Sequence, residues 1–439
     1  MLQTLLHIPA TVAGYPLFGN GLLLILWAVV SVGTLAWLVW RQGWNADTLG
    51  YVPILLLFGA VIYWVLPAIC ETLPNGRRGL PIRGYGMMML LAVVAGTSLA
   101  AWRAKRVGLN SEIILSLALW MFLPGIIGAR MFYVIEYWPE KYWPEYAGPA
   151  GHHSLGMLIG SVLNVAEGGL VVYGSFFGAL IGMIFFFRKH RLPLLAMCDL
   201  IAPAMLLGLA IGRVGCLLNG CCFGAACDCG WAVTFPAGTP PHFTPPYQAQ
   251  LDRGQFYGFM LASDAKSEPT VLAVAADSSA ARAGLKRGDR LESVNGEKTL
   301  ATGYVYSALE EAFLKKEPLR IQAKDRPEIT IPAVSPPRRS LPVHPTQIYS
   351  SIDALLLCLL LLAYEPFRRR DGELFALMMS IYPVTRFCIE NLRTDEAAVS
   401  GTGMSIGQCV SLLTLAIAAA LWFTILRRPK GTAFHRVDY

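Results

Sequence analysis

Nine apolar runs, each close to the ~20 residues that cross a bilayer core, decide what this chain can fold into. They occupy residues 21–40, 51–69, 85–102, 113–135, 170–187, 200–218, 348–364, 374–389 and 406–426, with Pro53 and Pro67 bracketing the second. Lipid offers no partner to backbone N–H and C=O groups, so such runs must be helices. Composition agrees: 55% of the 439 residues are hydrophobic and only 15% charged, with mean hydropathy +0.49, which excludes an ordinary soluble chain. The expected class is a polytopic α-helical membrane protein. A net charge of +7 is modest and calls for no nucleic acid. The first run lacks the basic flank and small-residue cleavage site of a signal peptide, so it is expected to remain as a span.

Some runs carry arginine at membrane depth. Arg213 lies in LIAPAMLLGLAIGRVGCLL, Arg130 in LPGIIGARMFYVI, and Arg386 in LMMSIYPVTRFCI with Glu390 one turn on. A guanidinium in hydrocarbon costs roughly 3 kcal/mol on insertion scales, so each needs a buried partner or an anionic ligand. Pairing with a carboxylate or capping a helix end is the simpler alternative for any one of them. Three in one bundle point to an anionic, lipid-soluble substrate. Other basic residues cluster after every second run, at 103–106, 188–191, 368–370 and 427–430, and by the positive-inside rule these face the cytoplasm. Loops 136–169, 219–347 and 390–405 then face outward. Arg77, Arg78 and Arg83 depart from the rule and suit lipid headgroups. His152 and His153 stand in a polar outer loop.

Within the long outer loop the composition turns polar over residues 250–334, with no spanning run. Alternating apolar residues at Val271, Ala273 and 319–323 suggest strands, and Asn295-Gly296 a tight turn. The string AARAGLKRGDRLESVNGE resembles a PDZ domain of the protease-associated kind, an α+β module that binds peptides by strand addition. That resemblance implies a peptide-binding loop at Gly258, Phe259 and Met260. The alternative is a small β-rich insertion without a peptide ligand. Prolines 236, 240, 241, 245 and 246 stiffen the preceding segment.

The membrane core resembles the prolipoprotein diacylglyceryl transferase family. LPIRGYGMMMLLAVVAG (80–96), GGLVVYGSFFGALIG (168–182), DLIAPAMLLGLAIGRVGCLLNG (199–220), HPTQIYSS (344–351) and RFCIENLRTDE (386–396) follow its motifs in order. The resemblance implies a seven-span core in two parts, 80–235 and 342–430, plus two extra N-terminal spans within 1–79 and a cytoplasmic tail, 431–439. It also implies a reaction. The diacylglyceryl group of phosphatidylglycerol passes to the lipobox cysteine thiol of a prolipoprotein, and glycerol phosphate leaves. Partners are then phosphatidylglycerol, prolipoprotein signal peptides, membrane lipid and a periplasmic polypeptide at the PDZ-like module, in the bacterial inner membrane. No cofactor or metal is implied. Cations must stabilise the leaving phosphate and a base must yield the thiolate. The resemblance assigns these catalytic tasks to Arg213, Arg386, Glu390, Tyr173 and His344. It assigns substrate binding to Tyr85, Arg130, Asn219 and Arg393.

This chain departs from the family pattern at three places. Tyr173 stands for a histidine, Cys216 for an asparagine and Cys221 for a glutamate. Tyr is a poor base near neutrality, with an unperturbed pKa of about 10. Cys216, Cys221, Cys222, Cys227 and Cys229 crowd fourteen residues on the outer side, where disulfides are expected. Cys-Cys and Cys-Asp-Cys lack the C-x-x-C spacing of a zinc site. Two other functions fit the same residues: a non-catalytic lipid-binding scaffold, or a membrane thiol–disulfide protein using these cysteines.

Overall fold

The structure is a computed structural model that describes residues 4–43, 46–72, 78–138, 142–143, 154–163, 172–236, 250–251, 253–261, 269–299, 302–334, 339–393 and 403–434. It divides into two compact units. One comprises Met1–Met88 and Val214–Pro345, the other Met89–Arg213 and Thr346–Tyr439.

The first unit opens with strands β1 (Thr4–Pro9), β2 (Thr11–Val12) and β3 (Tyr15–Pro16) before helices α1 (Leu22–Gln42) and α2 (Ala46–Ala60). A π turn over Val61–Val65 leads into α3 (Leu66–Ala68). Strands β4 (Glu71–Thr72) and β5 (Arg78–Arg83) complete an antiparallel sheet in the order β1-β5-β4. Helix α4 (Gly84–Arg106) follows directly.

The second unit holds most of the apolar helices: α5 (Ser111–Glu136), α6 (Leu155–Leu163), α7 (Val172–Lys189), most of α8 (Leu194–Asn219), and, after the insert, Thr346–Tyr364, Glu373–Glu390 and Ile406–Leu426. Six helices among the described residues are long and apolar enough to cross a membrane: Leu22–Arg41, Gly84–Arg106, Ser111–Glu136, Leu194–Asn219, Thr346–Phe367 and Ile406–Leu426. The run at 51–69 becomes the broken α2–α3 segment, with a shorter apolar stretch at Leu55–Ala68. The run at 374–389 becomes a helix carrying Glu373, Arg386 and Glu390.

One contact fixes α7. Its glycines 174, 178 and 182 recur every fourth residue and so share a face. A Cβ built on Gly178 would lie 2.0 Å from the Pro124 carbonyl oxygen, one on Gly182 2.0 Å from that of Trp120, and one on Gly174 2.3 Å from that of Gly128. Only glycine lets the α5 and α7 backbones approach so closely, and in lipid such packing substitutes for the hydrophobic effect.

A second tie joins the other end of this unit. Asp199, the only acidic residue in α8, is fully buried. Its carboxylate accepts hydrogen bonds from Arg368 Nη1 (3.2 Å) and from the backbone N–H groups of Gly372 (2.7 Å) and Phe375 (2.9 Å). Arg103 donates to the Asp199 carbonyl at 2.9 Å and to the Leu200 carbonyl, and pairs with Glu365 at 2.9 Å. Arg103 and Arg368, which the sequence offers as topology signals, here also brace helix ends.

The insert has its own apolar core, which includes Tyr257, Phe259, Leu285, Leu309, Phe313 and Ile321. Strands β6 (Phe259–Leu261) and β7 (Val271–Val274) form one pair, and among the described residues β6 pairs with β7 alone. A short helix α9 (Ser279–Arg282) and strands β8 (Leu291–Val294) and β9 (Glu297–Lys298) come next, then helix α10 (Thr302–Lys315). Strands β10 (Leu319–Ala323) and β11 (Ile329–Ile331) complete a sheet in the order β11-β10-β8-β9. Asn295 and Gly296, at φ 51° and 85°, make the expected turn between β8 and β9, because only paired left-handed residues match the strands' twist. Asp289 anchors the preceding loop, accepting from the Lys286 N–H at 2.9 Å and pairing with Arg326. The membrane helices resume as α11 (Thr346–Tyr364), α12 (Glu373–Glu390) and α13 (Ile406–Leu426).

Candidate active site

In the second unit, Arg386, Glu390 and Arg393 come together at the end of α12. Residues three and four apart share a helix face. Arg386 and Glu390 form an ion pair, and Arg393 Nη1 adds a second at 3.3 Å. Glu390 is buried, 4% exposed, and its other oxygen accepts from Ser405 Oγ at 3.1 Å. Ser405 is also the N-cap of α13, in a reciprocal capping box with Gln408. Gln408 in turn donates to Asn391 Oδ1 at 3.0 Å. The first turn of α13 lies tightly over the pair: a Cβ on Gly407 would stand 3.0 Å from Glu390 Oε1 and 3.2 Å from Arg386 Nη2. Two guanidinium groups thus share one carboxylate, which gives this corner a net positive charge.

Arg130 is elsewhere in this unit and does something different. Its Nε and Nη2 donate to the carbonyls of Val162 (2.8 Å) and Ser161 (2.9 Å), at the end of α6, and its guanidinium lies 5.3 Å from the Tyr133 ring centroid. This is the helix-end capping weighed as the alternative for a buried arginine. Arg213 is half-buried on α8. Tyr173 lies in the first turn of α7, its side chain outside the described residues, as are His152 and His153.

In the first unit, Tyr85 is exposed in the first turn of α4, where Gly215 of α8 packs: a Cβ there would meet Met88 Cβ at 3.1 Å and Tyr85 at 3.4 Å. Asn219 closes α8, and its side chain hydrogen-bonds Cys221. The strands of chain that enter and leave the insert are tied together. Gly224 N–H donates to the His344 carbonyl and His344 N–H to the Ala225 carbonyl, both at 2.9 Å, over a small core of Phe223, Phe235 and Val343. His344 is thereby brought to Cys229, whose Sγ lies 3.8 Å from Nδ1.

The cysteines divide into two groups. Cys227 and Cys229 are disulfide-bonded, while Cys216, Cys221 and Cys222 are not. The Sγ atoms of those three nevertheless all lie within 4.8 Å of one another. The hydrogen bond with Cys216 lowers the Cys221 pKa, but that with Cys222 and burial push it up, and the net shift is upward. Spacing along the chain gave no sign of this convergence, which depends on a helix end folding back over Gly220. In the insert, Gly258 and Phe259 are buried and Met260 is 38% exposed.

Six helices long and apolar enough to cross a membrane among the described residues define the class, a polytopic helical membrane protein. The chain belongs to the prolipoprotein diacylglyceryl transferase family, whose model matches residues 76–424. It is similar to a phosphatidylglycerol–prolipoprotein diacylglyceryl transferase of Rhodopirellula baltica, 33% identical over 99% of this chain and 91% of that protein. A transferase of the same name from Trichormus variabilis is 24% identical over 80% of this chain and 88% of its own length. One from Dehalococcoides mccartyi is 35% identical over 40% of this chain and 62% of its own.

Proposed function

We propose that this protein transfers the diacylglyceryl group of phosphatidylglycerol to the lipobox cysteine thiol of a prolipoprotein in the bacterial inner membrane. The corner of Arg386, Glu390 and Arg393 carries the reading, because it holds two half-buried guanidinium groups against one buried carboxylate within a stretch that resembles a motif of the family. Arg386 and Arg213 hold the phosphate and stabilise the leaving glycerol phosphate, as positioned cations do in a low-dielectric site. Glu390 fixes the Arg386 fork. Arg393 adds charge, and Tyr85 and Asn219 orient the headgroup. Arg130 serves as a positioning residue through the carbonyls of α6. Tyr173 and His344 are the candidates to take the thiol proton.

The core has seven spans, preceded by two more, and the insert is a PDZ-like module on the periplasmic side. Support for the module is its closed core, its N-capped short helix α9, and strand β6 with a single partner among the described residues. A polypeptide would add along β6, near Met260. The test is direct: purified protein, phosphatidylglycerol and a synthetic lipobox peptide, with mass spectrometry of the peptide. A diacylglyceryl thioether on the cysteine is expected; lipid binding without that product would establish the scaffold instead.

A further inference from the structure

Three thiols at the C-terminal end of α8 form a cluster. Cys216 sits in the last turn, Gly220 (φ 82°) turns the chain back, and Cys221 and Cys222 follow. Cys221 N–H donates to the Cys216 carbonyl at 3.2 Å, so the loop folds over the helix end. Cys222 itself holds φ 59°, a left-handed conformation disfavoured for any residue with a Cβ. The outcome is that three sulfur atoms point to one place, each within 4.8 Å of the others. All three are half-buried, so the group is neither sealed in the core nor fully open.

We propose that Cys216, Cys221 and Cys222 bind a zinc ion whose fourth position takes the lipobox cysteine of the substrate. This rests on the transferase reading above and offers a route to the thiolate that needs neither Tyr173 nor His344 as a base. Soft thiolate donors select zinc among the common divalent ions. Three protein ligands leave zinc an open site, which is the pattern of catalytic rather than structural zinc. A thiol that coordinates zinc is deprotonated outright. The cluster also touches a substrate-side residue, since Asn219 hydrogen-bonds Cys221.

The chemistry balances without any redox step. On coordination the lipobox thiol loses its proton to solvent at the outer face. The zinc-bound sulfur gives an electron pair to the glyceryl carbon, forming the S–C bond as the C–O bond to phosphate breaks. Glycerol phosphate departs with the bonding pair. The thioether that remains is neutral and a weaker ligand than a thiolate, so product leaves. Cys227, Cys229 and His344 form a second group within 4.8 Å, but their two sulfurs are engaged in a disulfide.

The probe is Co(II), loaded anaerobically into the full-length protein in detergent and followed by its sulfur-to-cobalt charge-transfer bands. One equivalent per chain is expected. The bands should vanish in Cys221→Ser and Cys222→Ser and persist in Cys70→Ser and in Cys227→Ser/Cys229→Ser. A lipobox peptide should shift them, and the same peptide with serine for cysteine should not. Circular dichroism and lipid binding of the serine variants separate lost ligands from lost folding. Thioether formation at an undiminished rate by chelator-treated, metal-free protein would overturn the zinc site while leaving the transferase reading intact. Absence of the bands in wild-type protein with reduced thiols would also overturn it. A peptide-dependent cobalt shift without thioether product from the zinc-loaded protein would instead refute the transferase reading and leave the site standing.

Discussion

The cationic corner on α12 and the cysteine cluster beyond α8 gather polar groups at helix ends in opposite ways. At the first, two arginines share one buried carboxylate, which Ser405 and the first turn of α13 fix in turn. Its essential residues lie within eight positions of one helix end, and electrostatics orders them. At the second, order comes from covalent and backbone constraints: a left-handed turn, a Cys227–Cys229 bond, and two chain segments paired around His344. Charge is therefore the weak point of one region, and chain geometry that of the other.

Removing the shared carboxylate should break the contrast most severely. Glu390→Gln removes the buried charge that two half-buried guanidinium groups share, a loss of about 3 kcal/mol, the low end for breaking a buried pair. Thermal unfolding in detergent should show a large downward shift, and phosphatidylglycerol binding should fall with it. Gly407→Val tests whether α13 truly clamps the pair. The Cβ would meet Glu390 and Arg386, and overpacking of this kind costs roughly 1–3 kcal/mol. Gly407→Ser, which adds the same Cβ, should cost less only if the pair can shift. That is read by the same unfolding midpoint and by turnover.

In the cysteine region, Cys227→Ser/Cys229→Ser should cost only about 1.5 kcal/mol, because so short a loop adds little closure entropy to the unfolded chain. A loss as large as that of Glu390→Gln would show that the bond, not the backbone pairing, holds His344. The smallest effect lies in the insert. The Tyr257 hydroxyl is buried, with no hydrogen-bond partner among the described residues, and burial raises its pKa from 10.0 to about 12. The folded state therefore favours the neutral phenol. That stabilisation is fully present below pH 10 and is lost as pH rises from 10 toward 12, since the unfolded chain gives up its proton first. Tyr257→Phe should flatten this alkaline decline and be neutral or stabilising by about 1 kcal/mol near pH 7, measured by unfolding across that range.

Much of this was legible in the sequence because it follows from local spacing. Arg386, Glu390 and Arg393 read as one helix face, Asn295-Gly296 as a tight turn, and the apolar runs as spans. What escaped notice depends on contacts distant in sequence. Arg103 and Arg368 read from the sequence as cytoplasmic charge, and the structure pairs them with Glu365 and Asp199. Their one advance signal was Asp199, an acid inside an apolar helix that required a partner. Arg130 donates to two carbonyls at the end of α6, the simpler of the two ways to satisfy a guanidinium that the sequence leaves open. The thiol cluster had no spacing signature, because its convergence is made by a reversal at Gly220 rather than by a regular repeat.

The most direct test of the central claim is the single-turnover release of glycerol phosphate from phosphatidylglycerol, measured with and without a lipobox peptide. Release should require the peptide thiol, match thioether formation mole for mole, and fall at least about a hundredfold in Arg386→Ala and Arg213→Ala, as loss of a charge-stabilising donor does elsewhere. Release that ignores the peptide, or survives both substitutions, would contradict a thiol transferase built on these arginines.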